Sequence, residues 1–125
     1  MTDYADVPPG VVANLRSICS ELPEAYEDTP WTGARWRIRS GSFVHAVTVD
    51  GDNGPVTYIN VHAAGEDLDV LERVGHPFFP GWGPGIIAMV IDDATDWDEV
   101  REVVTDSYCL LAPKKLSALV ERPEG

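Results

Sequence analysis

Between Gly85 and Asp92 the chain runs Ile86-Ile87-Ala88-Met89-Val90-Ile91, six apolar residues with no charge, proline or glycine among them. Successive side chains of a strand point to opposite faces, so a half-buried strand alternates apolar with polar, and a run with no polar member needs both faces covered. The stretch reads as the central strand of a sheet, with the rest of the chain as material that covers it. At 125 residues the chain fits one domain, residues 1–125, able to bury roughly two thirds of its unfolded surface without disulfide staples.

The cover can be followed in order. Residues 1–8 and 121–125 are expected to be flexible ends. Pro8-Pro9 presets φ for a helix start, and Val11 or Val12, Leu15, Ile18 or Cys19 and Leu22 then recur at helical spacing until Pro23. Residues 24–30 carry no period and read as a loop. From Trp31 the period drops to two: Trp36 and Ile38 alternate with Arg35, Arg37 and Arg39, which places the three arginines on one face of a strand. Phe43 to Val49 forms a second strand, with Phe43, His45, Val47 and Val49 on one side, and Val56 to Val61 a third, the two separated by turn chemistry at residues 50–55. A second helix follows, with Leu68, Leu71 and Val74 on its buried stripe and Gly75 as its C-terminal cap. The prolines around Phe78 confine that segment to a short edge strand. After Ile91, Asp96 and Glu99 have the spacing of a capping box, and Trp97, Val100, Val104, Ser107 or Tyr108 and Leu111 mark the strongest helix. Beyond Pro113, Leu116, Leu119 and Val120 support another helical turn or two. The fold class is α+β: two layers, helices on one curved antiparallel sheet, in the order α-β-β-β-α-β-β-α with a short C-terminal helical extension.

A two-layer fold leaves the second face of Ile86–Ile91 to be covered by strong sheet curvature, by the aromatic loop around residues 78–82, or by a second copy of the chain, so the expected state is a monomer or a homodimer. The N-terminus is acidic and lacks a signal-peptide core, and no stretch approaches the ~20 apolar residues that span a bilayer. A cytoplasmic protein with no membrane partner is expected. Cys19 and Cys109 each lie in an apolar helical pattern, where a free thiol acts as a small hydrophobe.

Net charge is −12, from 21 acidic against nine basic side chains. That field repels phosphate, and affinity for duplex DNA comes mainly from Lys and Arg displacing counterions. Arg35, Arg37 and Arg39, with Lys114 and Lys115 if the fold brings them to the same side, are the candidates for an anion or nucleic-acid contact, because arginine offers a forked donor set to phosphate. Three such contacts give a salt slope of only about −2.7. Phe78, Phe79 and Trp82 are the candidates for a ligand or partner surface. His45, His62 and His76 lack metal-ligand spacing, and residues 50–61 depart from a calcium loop at its turn glycine and its bidentate position. Glycines 81, 83 and 85 feed a strand and not a helix N-terminus, and no nucleophile elbow is present. No cofactor and no catalytic activity are expected.

The element order, the opening Leu15-Arg16-Ser17-Ile18-Cys19-Ser20-Glu21-Leu22-Pro23, the Asp-rich helix start, and Ser107-Tyr108 leading into Ala112-Pro113-Lys114-Lys115-Leu116 together resemble the MmcQ/YjbR family of small bacterial proteins. The resemblance implies a secretion-chaperone-like two-layer domain and a DNA-binding role. Where the family pattern is basic, this chain has His62-Ala63-Ala64-Gly65 and Gly81-Trp82-Gly83-Pro84-Gly85. The alternative role is a protein-interaction or small-ligand module that uses the sheet face or the Phe78 to Trp82 loop.

Overall fold

The computed structural model describes residues 4–120. Its elements are β1 (Tyr4–Ala5), α1 (Pro9–Cys19), β2 (Tyr26–Asp28), β3 (Ala34–Ile38), β4 (Gly41–Gly51), β5 (Gly54–His62), α2 (Gly65–Val74), β6 (Phe78–Pro80), β7 (Ile86–Ile91), α3 (Trp97–Leu111) and α4 (Lys114–Ser117). The strands form one antiparallel sheet in the order β2-β3-β4-β5-β7-β6, with β1 paired to β4 off this path. This is the expected α+β architecture with two strands added. Tyr4 and Ala5, expected to be part of a flexible end, pair with Val49 and Thr48, and Tyr26–Asp28, read as loop, pairs with Arg37 to Arg35. The tail expected at 121–125 lies outside the described residues, as do residues 1–3.

Ile86–Ile91 is paired on both sides but is not the central strand. The long pair β4 and β5 takes the middle of the sheet, and β7 stands one place in from the edge strand β6. Its alternate residues Ile87, Met89 and Ile91 enter one core cluster with Leu15 and Ile18 of α1, Val100, Val104 and Tyr108 of α3 and Leu116 of α4. Leu68 and Leu71 of α2 pack against the same cluster, so all four helices lie on one side of the sheet. α2 reaches only the rim beside β6 and β7, none of its residues is buried, and Val74, expected on the buried stripe, is 58% exposed. The opposite face of β7 is closed by its own neighbours: Ala88, fully buried, sits between Asn60 of β5 and Phe79 of β6 in register. Trp82 arches over this region, its backbone N–H donating to Asn60 Oδ1. Ile86 and Val90 on that face are only half-buried, so the aromatic loop supplies part of the cover.

The helix-to-sheet joint is centred on two consecutive residues of α3. Asp96 caps that helix, its carboxylate accepting from the N–H groups of Asp98 and Glu99. Tyr108 sets its ring edge-on to Phe43, centroids 5.5 Å apart, and its hydroxyl donates to Pro23 O at 2.7 Å. Ser107 Oγ donates to Phe43 O at 2.5 Å and accepts from His62 N–H at 2.8 Å. These backbone groups are available because the β4–β5 ladder stops at Val44 and Val61, while the β3–β4 register slips between Trp36 and Arg37, with Trp36 facing Val44 and Arg37 facing Ser42, leaving Phe43 as the extra residue of a bulge. The bulge also corrects the expected face of Phe43. It turns to the helices, while His45, Val47 and Val49 share the other face with Asn60, Tyr58 and Val56, their partners on β5.

Candidate functional site

Because every helix lies on one side, the other face of the sheet carries the polar and aromatic residues that the core does not absorb. On β3 and β4 these include Arg35 and His45, paired in register, and on β5 Tyr58 and Asn60, with Asn60 facing His45. Loops at both flanks overhang them. Trp31 precedes β3, and Trp82 lies in the Pro- and Gly-rich link from β6 to β7. The two indoles are 6.3 Å apart at 26°, and Trp82 meets His45 edge-on at 4.9 Å while its Nε1–H donates to Tyr58 Oη at 3.1 Å. Trp31, Arg35, Ser42, His45, Asn60, His62, Trp82 and Ile86 bound a cleft of about 300 Å³, at the small end of the size range of small-molecule sites.

The loop that carries Trp31 is held by a backbone contact only glycine permits. Gly33 has φ +76°, and a Cβ there would stand 1.9 Å from Ala46 O. One residue earlier, Thr32 O accepts from His45 Nε2 at 2.8 Å, so Nε2 carries the imidazole proton. Burial pushes the His45 pKa below its ordinary value of 6.5, outweighing the Thr32 carbonyl, which favours the cation.

The charged end of the cleft is a shared ion pair. Asp28 accepts from Arg35 Nη2 with both oxygens, at 2.9 and 3.0 Å, and from Arg37 Nη1 at 3.0 Å. Hydrogen bonds from Arg35 first, then from Arg37, hold the Asp28 pKa below the usual carboxylate range. On the helix side of the same strand, the Arg16 guanidinium lowers Glu27 in the same way. Two guanidinium groups against one carboxylate leave one positive charge beside the cleft. The pairing is incomplete in another respect: Nε of Arg35, Nε of Arg37 and Nδ2 of Asn60 are buried donors with no acceptor in reach among the described residues. Asn60 is only 7% exposed.

These shifts set an acid dependence. His45 has a depressed folded pKa, so the unfolded chain binds the proton first, and stability falls as pH drops below about 6.5. The Asp28 and Glu27 contributions are complete above their unfolded values of about 4 and are lost as pH falls through their lower folded values. Urea midpoints followed from pH 8 to pH 3 should therefore decline in two stages. A flat profile between pH 7 and pH 5 would contradict the burial of His45.

Of the residues singled out in the sequence, Arg35 and Arg37 reach this face, both bound to Asp28. Arg39 does not share their strand face: β3 ends at Ile38, and Arg39, with φ +56°, turns in the β3–β4 link toward Glu24 at 3.4 Å. Lys114 and Lys115 are exposed on α4, which packs against α3 in the helical layer. Phe79 and Trp82 share the cleft face, Phe79 against Tyr58 at 5.3 Å, whereas Phe78 turns into the helix-covered core. Asp28, Trp31, His45, Tyr58 and Asn60 complete the arrangement. Among the described residues no three or more His, Cys, Asp or Glu side chains gather as a metal site, and no helix is long and apolar enough to cross a membrane.

Comparison with known proteins places this architecture. The YjbR family model matches residues 20–110. The crystal structure of Deinococcus radiodurans protein DR2400, with domain DUF419, superposes with a TM-score of 0.63 at 22% identity, covering 91% of this chain and 92% of that one, a likeness of fold. Among curated proteins none matches.

Proposed function

This chain belongs to the YjbR family, and from that premise we propose that it works without catalysis, as a binding module whose small ligand enters between Trp31 and Trp82 on the helix-free face of the sheet. The observation that carries the reading is the set of donors left without acceptors there. A buried polar group without a partner costs about 1–3 kcal/mol, and Asn60 Nδ2 and Arg35 Nε, on residues that line one cleft, both meet that description. A ligand bearing acceptor atoms removes the penalty, and the exposed indoles supply its apolar contact.

DNA binding through Arg35, Arg37, Arg39, Lys114 and Lys115 is the other reading the family suggests. It is opposed by the net charge of −12 and by the carboxylate partner each of the three arginines already has.

The test is a screen of small charged and uncharged ring compounds followed through amide and indole N–H resonances. The resonances of Trp82, Asn60 and His45 should move as one group, and Trp82→Ala should weaken the responding compounds about tenfold while the far-ultraviolet spectrum stays unchanged. A bound compound at a hundred times its Kd should raise stability by about 2.7 kcal/mol. Responses scattered over the helical layer would defeat the proposal. So would retardation of duplex DNA at low salt that is lost in an Arg35→Gln, Arg37→Gln double variant.

A further inference from the structure

We propose that the cleft takes small aromatic monocarboxylates, the carboxylate received by Asn60 Nδ2 and Arg35 Nε and the ring by the faces of Trp31 and Trp82. This rests on the binding-module reading and gives it a ligand class. The buried polar atoms left without a partner on the residues lining the cleft, Asn60 Nδ2 and Arg35 Nε, are donors, while neutral His45 keeps Nδ1 as an acceptor. Asn60 has its oxygen occupied by Trp82 N–H, which leaves the amide nitrogen. Arg35 has Nη2 occupied by Asp28, which leaves Nε. A ligand for this base must present acceptors.

Charge narrows the class. Arg35 and Arg37 share one carboxylate, so the surplus is one positive charge, and His45 adds none while it is neutral. A monoanion balances that surplus, whereas a phosphate dianion brings a second negative charge into a region already facing Asp28. Buried charge-assisted hydrogen bonds are about twice as strong as neutral ones, so the acid should be preferred over its amide.

The walls require a ring. Trp31 is 72% and Trp82 46% exposed, and their 6.3 Å separation lies at the loose end of the range for aromatic pairs, about 4.5–7 Å. A third ring between them needs about 7–8 Å, two contacts of about 3.5–4 Å, so the indoles must part by roughly an ångström to admit it. Both free nitrogens are shielded from solvent, so a carboxylate reaches them only if the cleft opens, and Trp82, whose backbone N–H bonds Asn60, forms part of its lining. Binding should therefore change the tryptophan emission.

The experiment compares benzoate and indole-3-acetate with benzamide and indole-3-acetamide on the full chain, by side-chain N–H resonances and tryptophan fluorescence, with inorganic phosphate as competitor. The acids should bind at least about tenfold more tightly than their amides, move the Asn60 side-chain and Arg35 Nε–H signals, and resist displacement by phosphate. Arg35→Gln should abolish the preference for acid over amide, a change in selectivity that simple loosening of the fold would not produce. Equal binding of acids and amides overturns the carboxylate class and leaves the binding module standing. Acid binding that leaves the Asn60 side chain unmoved, or that phosphate displaces, also overturns it. Failure of acids, amides and all other ring compounds to bind overturns the class and the binding module together.

Discussion

Ser107→Ala is expected to lower stability by about 2–5 kcal/mol, measured as a shift in urea midpoint at unchanged slope. The residue is fully buried, and its hydroxyl satisfies a donor and an acceptor that belong to the backbone of two different strands. Removing it orphans both Phe43 C=O and His62 N–H, each worth about 1–3 kcal/mol when left unpaired in the interior. Neither group can recover a partner from the sheet. The β4–β5 ladder stops at Val44 and Val61, and the bulge at Phe43 takes the neighbouring carbonyl out of register with β3. The control is Ser20→Ala. Its hydroxyl also bonds a backbone carbonyl, Ser17 O at 2.9 Å, but at an exposed position, so the expected change is within about 0.5 kcal/mol. Equal effects at the two serines would show that the α3 joint does not depend on this bond.

The same pair of elements shows what the sequence discloses and what it withholds. Ser107-Tyr108 stands out in the chain as part of a family-like motif, and its position on a helix beside the core can be read from spacing alone. Its use as a plug for a bulge cannot, because the bulge arises only when β3 and β4 pair. That bulge is also why the alternation from Phe43 to Val49 puts Phe43 on the wrong face: one extra residue reverses the parity of everything before it. Long periodic elements survive such local faults. The helix from Trp97, its Asp96 cap and the three-strand meander are all legible from pattern and capping chemistry.

Short elements and pairings across the sheet are a different matter. Tyr4–Ala5 has two residues and Tyr26–Asp28 three, too few for a period to be counted, and β2 exists because its backbone pairs with β3. With β2 comes Asp28, whose carboxylate turns two arginines of a seemingly open basic stripe into a shared ion pair. In the same way Asn60 looks like one of several polar residues scattered along its strand. Only the register that sets it against His45 and Ala88, and the arch of Trp82 above it, make its amide a buried donor facing a cleft.

Gly33→Ala should retain the helices and the central strands, yet cost about 2–4 kcal/mol and weaken ligands of the cleft at least about tenfold. The backbone at this position has φ +76°, where a Cβ is strained in any surroundings, and the surroundings here are a strand carbonyl, Ala46 O, at 1.9 Å. A rigid ladder carbonyl does not yield, so the loop must. Residues 31–33 then lift away from β4, which breaks the bond from His45 Nε2 to Thr32 O and removes Trp31 from its edge-on contact with Tyr4 at 4.9 Å and from its place beside Trp82. The loop is peripheral, so the loss is bounded by those contacts and the core cluster on the helix side is spared. Two readings check the sequence of events. The near-ultraviolet spectrum should lose tryptophan intensity while the far-ultraviolet spectrum is preserved, and the His45 imidazole should titrate closer to 6.5 once burial and the Thr32 contact are gone. A Gly33→Ala variant with wild-type stability and an unmoved His45 titration would mean that the contact with Ala46 does not hold the Trp31 wall in place.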